Sequence, residues 1–191
     1  MGSVAEALRG VLDPLTPDPV LPAGVPAAVV VPVLDMPRPS VVLTRRTETV
    51  RTHKGEISFP GGVRHEEDPH LLATALRETE EELGIPGEAF EMLGRLPPTH
   101  TVVSGYVILP FVGLLAEHPR MRPSPIEIAE IVEMDLSRLA EVEREVIPDG
   151  RPSGWFSYEI GGHTVWGATG RIMHAFLDRL RSGGWSPERE D

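Results

Sequence analysis

The sequence predicts an α/β (α+β) layered domain, with a mixed sheet covered by two or three helices. Three observations carry this. The valine-rich runs "AAVVVPVL" (27–34) and "SVVLT" (40–44) read as neighbouring strands. The stretches 69–83 and 168–182 have helical, amphipathic spacing. The chain has 191 residues, 40% of them hydrophobic, which is enough for one sizeable core.

Taken in order, residues 4–12 form a short amphipathic helix. Pro14, Pro17, Pro19, Pro22 and Pro26 then make the following segment an extended connector, because no helix or central strand tolerates that density of proline. Together, 1–26 read as an N-terminal helix and connector. "DMPRP" is the turn between the two valine strands, and Pro32 inside the first marks an edge or a bulge. Residues 45–58 are polar and irregular, and "FPGG" is a tight turn. Asp68 suits the N-cap of the next helix, Pro69 its first position and Gly84 its C-terminal stop. Strands follow within 90–101 and 106–116. "EIAEIVEM" fits strand or helix equally, and 135–142 is a short helix. A hairpin turns at Gly161-Gly162. The last helix places Ile172, Phe176 and Leu180 on one face, and 183–191 is a loose tail. The whole chain, 1–191, reads as one domain.

Composition excludes several functions. With no cysteine, there is no disulfide, thiolate metal site or cysteine nucleophile. The net charge of −11 argues against nucleic-acid binding. No apolar run reaches a membrane span, the N-terminus lacks a signal-peptide layout, and Glu6 occupies the position where N-myristoylation wants Ser or Thr. A soluble cytoplasmic protein is expected. One stretch departs from the acidic average: Arg45, Arg46, Arg51, Lys54 and Arg64 face only Glu48 and Glu56. Such a patch suits a small anionic ligand.

On the 69–83 helix, Leu72, Leu76, Thr79 and Leu83 fall on one face, with Ala75 at its edge; this face is expected to pack on the sheet. Glu78, Glu81 and Glu82, spaced i, i+3, i+4, fall on the other side, away from Glu80. Three carboxylates so placed repel one another. They either solvate the helix or hold a hard divalent cation, which prefers oxygen ligands. Arg77 is either a surface ion pair with Glu81 or a guanidinium fork that orients a glutamate.

The run from Gly61 to Ile85 resembles the Nudix box, in which a Gly-loop, helix and loop end in Arg-Glu-x-x-Glu-Glu-x-Gly. Arg77, Glu78, Glu81, Glu82 and Gly84 occupy those positions, with Ile85 closing and Thr79 replacing an aliphatic residue. The loop is one residue longer than usual, with Asp68 in place of the early glutamate; Asp68 is read mainly as an N-cap. Upstream, Leu43, Thr44, Arg46, Thr47, Arg51, Gly55, Phe59, Pro60, Gly61 and Gly62 resemble the extra motif of the coenzyme A pyrophosphatase branch, with Thr47 where Ser or Ala is usual.

The resemblance implies a Nudix-type α/β/α sandwich with a mixed central sheet and a catalytic loop-helix-loop. It implies Mg²⁺ or Mn²⁺ at Glu78, Glu81, Glu82 and the Gly62 backbone, and cleavage of coenzyme A into 3′,5′-ADP and 4′-phosphopantetheine. Glu81 or Glu82 would be the general base, with Arg77 assisting. Arg46, Arg51, Lys54 and Arg64 would clamp substrate phosphates, and Ser104 and Tyr106 would shape the pocket unless Tyr106 is core. Glu127 and Glu130 are either plain exposed glutamates or a distal ligand or base. His53 and His65 read as flanking polar residues, and Trp166 as structural. The expected partner is a small nucleotide diphosphate, with no nucleic acid or membrane; a homodimer is among the assemblies the sequence allows. The alternatives are a Nudix hydrolase for ADP-ribose or a dinucleotide, a non-catalytic nucleotide sensor, and an interaction module that docks through the acidic helix.

Overall fold

The computed structural model describes residues 3–49, 54–101, 104–146 and 154–187. The chain starts with α1 (Val4–Leu8), closed by a capping box in which the Ser3 hydroxyl accepts from the Glu6 N–H and the Glu6 carboxylate accepts from the Ser3 N–H. The valine runs form β1 (Val25–Leu34) and β2 (Ser40–Arg46). Two short strands, β3 (Ile57–Ser58) and β4 (Gly61–Val63), lead to α2 (Leu71–Leu83). Then come β5 (Glu91–Arg95), β6 (Thr99–His100), β7 (Tyr106–Leu115) and β8 (Ile128–Asp135). The chain continues through α3 (Leu136–Val142), β9 (Arg144–Val146), β10 (Trp155–Ile160), β11 (His163–Val165) and α4 (Gly167–Ser182). The segment that fits strand or helix equally is therefore strand β8, paired along the whole of β2.

The strand β1 is central. It runs parallel to β7 over all ten residues. On its other side it pairs with β2 only at Val33 and Leu34, and with β4 at Ala27 to Val29. Pro32 lies between these two ladders. Lacking an N–H, it cannot extend the β1–β2 ladder, and the two strands part there. The expected edge or bulge is instead a split inside the sheet. Phe59, Pro60 and Gly61 enter this split, and the Val30 N–H donates to the Pro60 carbonyl at 3.0 Å. The expected "FPGG" turn is thus partly a paired strand. A Cβ on Gly61 (φ 152°) would strike the Ala28 carbonyl oxygen, so only glycine lets the chain press this closely on β1.

Alternation along the strands divides the core into two layers. Ala28, Val30, Leu34, Val42, Leu109 and Phe111 pack under α2. Val29, Val31, Val33, Val41, Leu43 and Val112 pack under α1 and α4. This is the expected α/β/α sandwich. Ile172, Phe176 and Leu180 of α4 are all buried, as their spacing requires. The tail is not loose at its start: Trp185 is buried and its N–H donates to the Leu180 carbonyl. Among the described residues, no helix is long and apolar enough to cross a membrane.

The split-sheet geometry makes a direct prediction. Gly61→Ala meets both a backbone clash and a disfavoured φ, and should lose at least about 2 kcal/mol of stability in urea denaturation. Gly162→Ala, at φ 81° with open space around its Cβ, should lose only about 1 kcal/mol.

Candidate active site

The site grows from the start of α2. Sequence logic places the cap at Asp68 and the first turn at Pro69. The helix instead begins at Leu71, with His70 as N-cap: the Ala73 N–H donates to His70 Nδ1 at 3.1 Å. The Leu71 N–H donates to the carboxylate of Asp18, which reaches across from the proline-rich connector. With the helix ends satisfied elsewhere, Asp68 is left for another task.

Asp68 is buried, and its two oxygens accept from Nε and one terminal nitrogen of Arg77, both at 3.1 Å. This is a bidentate fork. The Thr74 hydroxyl (2.9 Å) and the His65 N–H (3.0 Å) also donate to Asp68. The Arg77 hydrogen bonds hold the Asp68 carboxyl well below the usual carboxylate range, although burial opposes them. The other terminal nitrogen of Arg77 lies 2.8 Å from Glu78 and 3.2 Å from Glu81. Arg77 is thus the orienting fork of the two readings, and the Glu81 surface pair is its weaker branch.

The three glutamates do not share one side of the helix. Glu82 faces the sheet and is 2% exposed, whereas the Glu81 side chain is 60% exposed. The buried face is Leu71, Thr74, Ala75, Thr79, Glu82 and Leu83, with Leu72 and Leu76 only half-buried. It keeps Ala75, Thr79 and Leu83 of the expected face but is turned away from Leu72 and Leu76, with two further polar residues, Thr74 and Glu82, facing inward. Thr79 satisfies its hydroxyl on the Ala75 carbonyl at 2.7 Å, and Thr74 does so on Asp68. Among the described residues Glu82 has only sparse partners: the Gly61 N–H at 3.3 Å and Arg46 at 3.5 Å. Desolvation pushes its carboxyl up to about 8; Arg46 and the Gly61 N–H counteract this, while Glu78 and Glu127 add to it. Glu78 is also raised, chiefly by burial, although Arg77 pulls the other way. Its carboxylate lies against Gly62, where a Cβ would come within 2.7 Å of both oxygens. The Gly61-Gly62 strand, the buried Glu82 and the half-buried Glu78 therefore form one unit.

Other expected residues divide clearly. Arg46 belongs to this unit. Thr47 pins the segment carrying Glu127: its N–H donates to the Glu127 carbonyl and its hydroxyl to the Ile126 carbonyl, both at 2.8 Å. Glu130 pairs with Arg45 on the other sheet face. Arg64 is not a free clamp, since its guanidinium donates to the carbonyls of Asp68 and Pro69. Ser104 and Tyr106 are held by Thr101, which accepts from the Ser104 hydroxyl and the Tyr106 N–H at 2.8 Å. Lys54 lines a separate groove. Arg51 and His53 lie outside the described residues. Sequence reasoning missed the Asp68 anchor and the Asp18 cap. The one-residue loop extension was the available sign for Asp68; nothing local marks Asp18.

The chain matches the NUDIX domain over residues 24–156. It belongs to the Nudix family. Among similar proteins is the uncharacterized Nudix hydrolase NudL of Photorhabdus laumondii, 36% identical over 159 residues, covering 81% of this chain and 84% of that one. In fold, a MutT/nudix family protein from Enterococcus faecalis covers 87% of this chain and 66% of its own, with TM-score 0.60 and 14% identity. The MutT protein of Methanosarcina mazei covers 85% and 96%, with TM-score 0.56 and 15% identity. The protein is a Nudix pyrophosphohydrolase, acting on a nucleoside diphosphate linked to another group.

Nudix hydrolases generally use a divalent metal such as Mg²⁺ or Mn²⁺. Among the described residues, no three acidic or histidine side chains stand as a ready-made cage. The donors nonetheless fit such an ion. Glu78 and Glu82 offer hard oxygens, and burial opposes the ionisation of both, a conflict that a cation relieves.

Two outcomes are expected. Asp68→Ala leaves the Arg77 fork without its main partner; it should lose about 2 kcal/mol of stability in chemical denaturation and lower kcat by disordering Glu78. The second concerns pH. A carboxyl whose folded pKa lies near 8, against 4.5 ordinarily, stabilises the fold below about 4.5, and that contribution is lost as pH rises through 8. In EDTA, Glu82→Gln should melt several degrees above the unsubstituted protein at pH 8.5 and show little difference at pH 4.5.

Proposed function

We propose that this Nudix hydrolase cleaves the diphosphate of coenzyme A and its derivatives, giving 3′,5′-ADP and 4′-phosphopantetheine or its acyl form. The observation that carries this reading is the contact between two sequence blocks. From the upstream block that resembles the coenzyme A branch, Arg46 lies 3.5 Å from the box glutamate Glu82, and the two blocks share Gly61 and Gly62, which touch Glu82 and Glu78. The residues that suggest the substrate and those that suggest the reaction thus line one site.

The chemistry is attack of a water oxygen on one phosphorus, with breakage of that phosphorus's bond to the bridging oxygen. A bound Mg²⁺ or Mn²⁺ supplies positive charge to the diphosphate and acidifies water. The chain must take up a proton and balance charge. Burial pushes the Glu82 carboxyl up to about 8 in the metal-free chain; a bound cation would favour its carboxylate form, which is proposed as the proton acceptor. Glu81 is the alternative, exposed and tethered to Arg77 by a single 3.2 Å contact. Arg77 fixes Glu78 against Gly62 and so sets the ligand geometry. Arg46 stands 3.5 Å from Glu82 and is proposed to meet a phosphate oxygen. Arg51 and Lys54 are proposed to take further phosphates, while Arg64 supports the loop. Ser104 and Tyr106 are proposed to border the pocket from the Thr101 turn.

A hydrolysis panel with product identification tests this. With Mg²⁺ or Mn²⁺, coenzyme A should yield 3′,5′-ADP, and Glu82→Gln should reduce kcat by at least about 100-fold. Brisk cleavage of ADP-ribose with negligible cleavage of coenzyme A would overturn the substrate and leave the family chemistry standing.

A further inference from the structure

Arg45 and Arg46 are adjacent on β2 and point to opposite faces of the sheet. Arg46 reaches Glu82 beneath α2. Arg45 donates from Nε to Glu130 at 2.8 Å on the other face, where His163 Nε2 lies 3.4 Å from the second Glu130 oxygen. This bracket joins the β10–β11 hairpin to the edge of the sheet. Beside it lies a groove of about 240 Å³, lined by Arg45, Lys54 and Glu56 on one side and His163 and Trp166 on the other.

Trp166 is the anomaly. The sequence reading makes it structural, yet it is 59% exposed, the one aromatic among the large exposed hydrophobic side chains of the described residues. A tryptophan is seldom left so open. Its backbone is fixed: it caps α4, and its carbonyl accepts from the Gly170 N–H at 3.1 Å. The indole is therefore presented to the groove from a rigid support and buries little of itself against the protein.

We propose that this groove seats the nucleobase of the substrate, stacked on the Trp166 indole, with Lys54 meeting an adjoining phosphate. An aromatic face receives any base, and cationic side chains beside it follow the phosphates. The volume suits one ring system; larger ligands fill about 300–1,000 Å³. Lys54 is exposed and has no acidic partner among the described residues. The groove and the Glu82 site take consecutive residues of β2, Arg45 and Arg46, and so flank the end of one strand from its two faces. The proposal rests on the nucleotide-diphosphate reading of the active site, but stacking itself needs no turnover.

Titration calorimetry with AMP and with ribose 5-phosphate, which lacks the base, tests it. Trp166→Ala should weaken AMP about tenfold and leave ribose 5-phosphate unchanged. Trp166→Phe keeps a stacking ring and should retain most of the AMP affinity, which separates lost stacking from a folding defect. KM for any adenine diphosphate that is cleaved should rise with Trp166→Ala by a similar factor. Undiminished AMP binding in Trp166→Ala, an equal loss for both ligands, or no AMP binding by the unsubstituted protein would overturn the groove assignment. Trp166-dependent AMP binding in a protein that leaves coenzyme A intact would uphold the groove and refute the coenzyme A substrate.

Discussion

The fork of Arg77 is the contact on which the site depends. One guanidinium holds Asp68 through two parallel hydrogen bonds and still reaches Glu78 and Glu81. Asp68 in turn gathers Thr74 and the His65 backbone, so the loop before α2 closes onto the helix it introduces. A buried ion pair is a poor source of net stability, because desolvation offsets most of its Coulomb attraction. Its value here is positional: it fixes the rotamer of Glu78 against a glycine that has no side chain to exclude it.

Glu82 presents the opposite case. It is as buried as Asp68, but it has one backbone donor at 3.3 Å and one distant guanidinium, with Glu78 and Glu127 adding repulsion. Two carboxyls of similar burial, before the start and at the end of α2, are thus driven in opposite directions, Asp68 down by good partners and Glu82 up by poor ones. Such a conflict is a cost to the fold that a cation and a proton-transfer role would explain, which is the pattern expected at functional sites.

The legible part of the molecule was what local pattern controls. The valine strands and the α4 stripe at Ile172, Phe176 and Leu180 both follow from periodicity. Two of the failures share one cause, which is partners far away in sequence. Pro32 appeared to be an edge residue because no local rule shows a strand inserting beside it. Asp68 looked like a cap because the Asp18 carboxylate, which helps satisfy the helix start, comes from the connector. The α2 face is partly misplaced because the reading equates hydrophobicity with burial, whereas Thr74 and Glu82 are inside and Leu72 and Leu76 lie at the margin.

The same alternation that builds the two-layer core also sorts the chemistry. Val42, on the α2 side of β2, is followed on that side by Thr44 and then Arg46; Val41 and Leu43, on the α4 side, are followed by Arg45. Where β2 leaves the core, its side chains therefore change from hydrophobic to cationic without changing face. Each arginine meets the carboxylate that its layer provides, Glu82 for Arg46 and Glu130 for Arg45. A one-residue slip of β2 would exchange both partners and turn Val41 and Leu43 out of their layer at once. The register that buries the core is thus the register that sends Arg45 and Arg46 to opposite faces, so the core and the two ion pairs are fixed by one constraint.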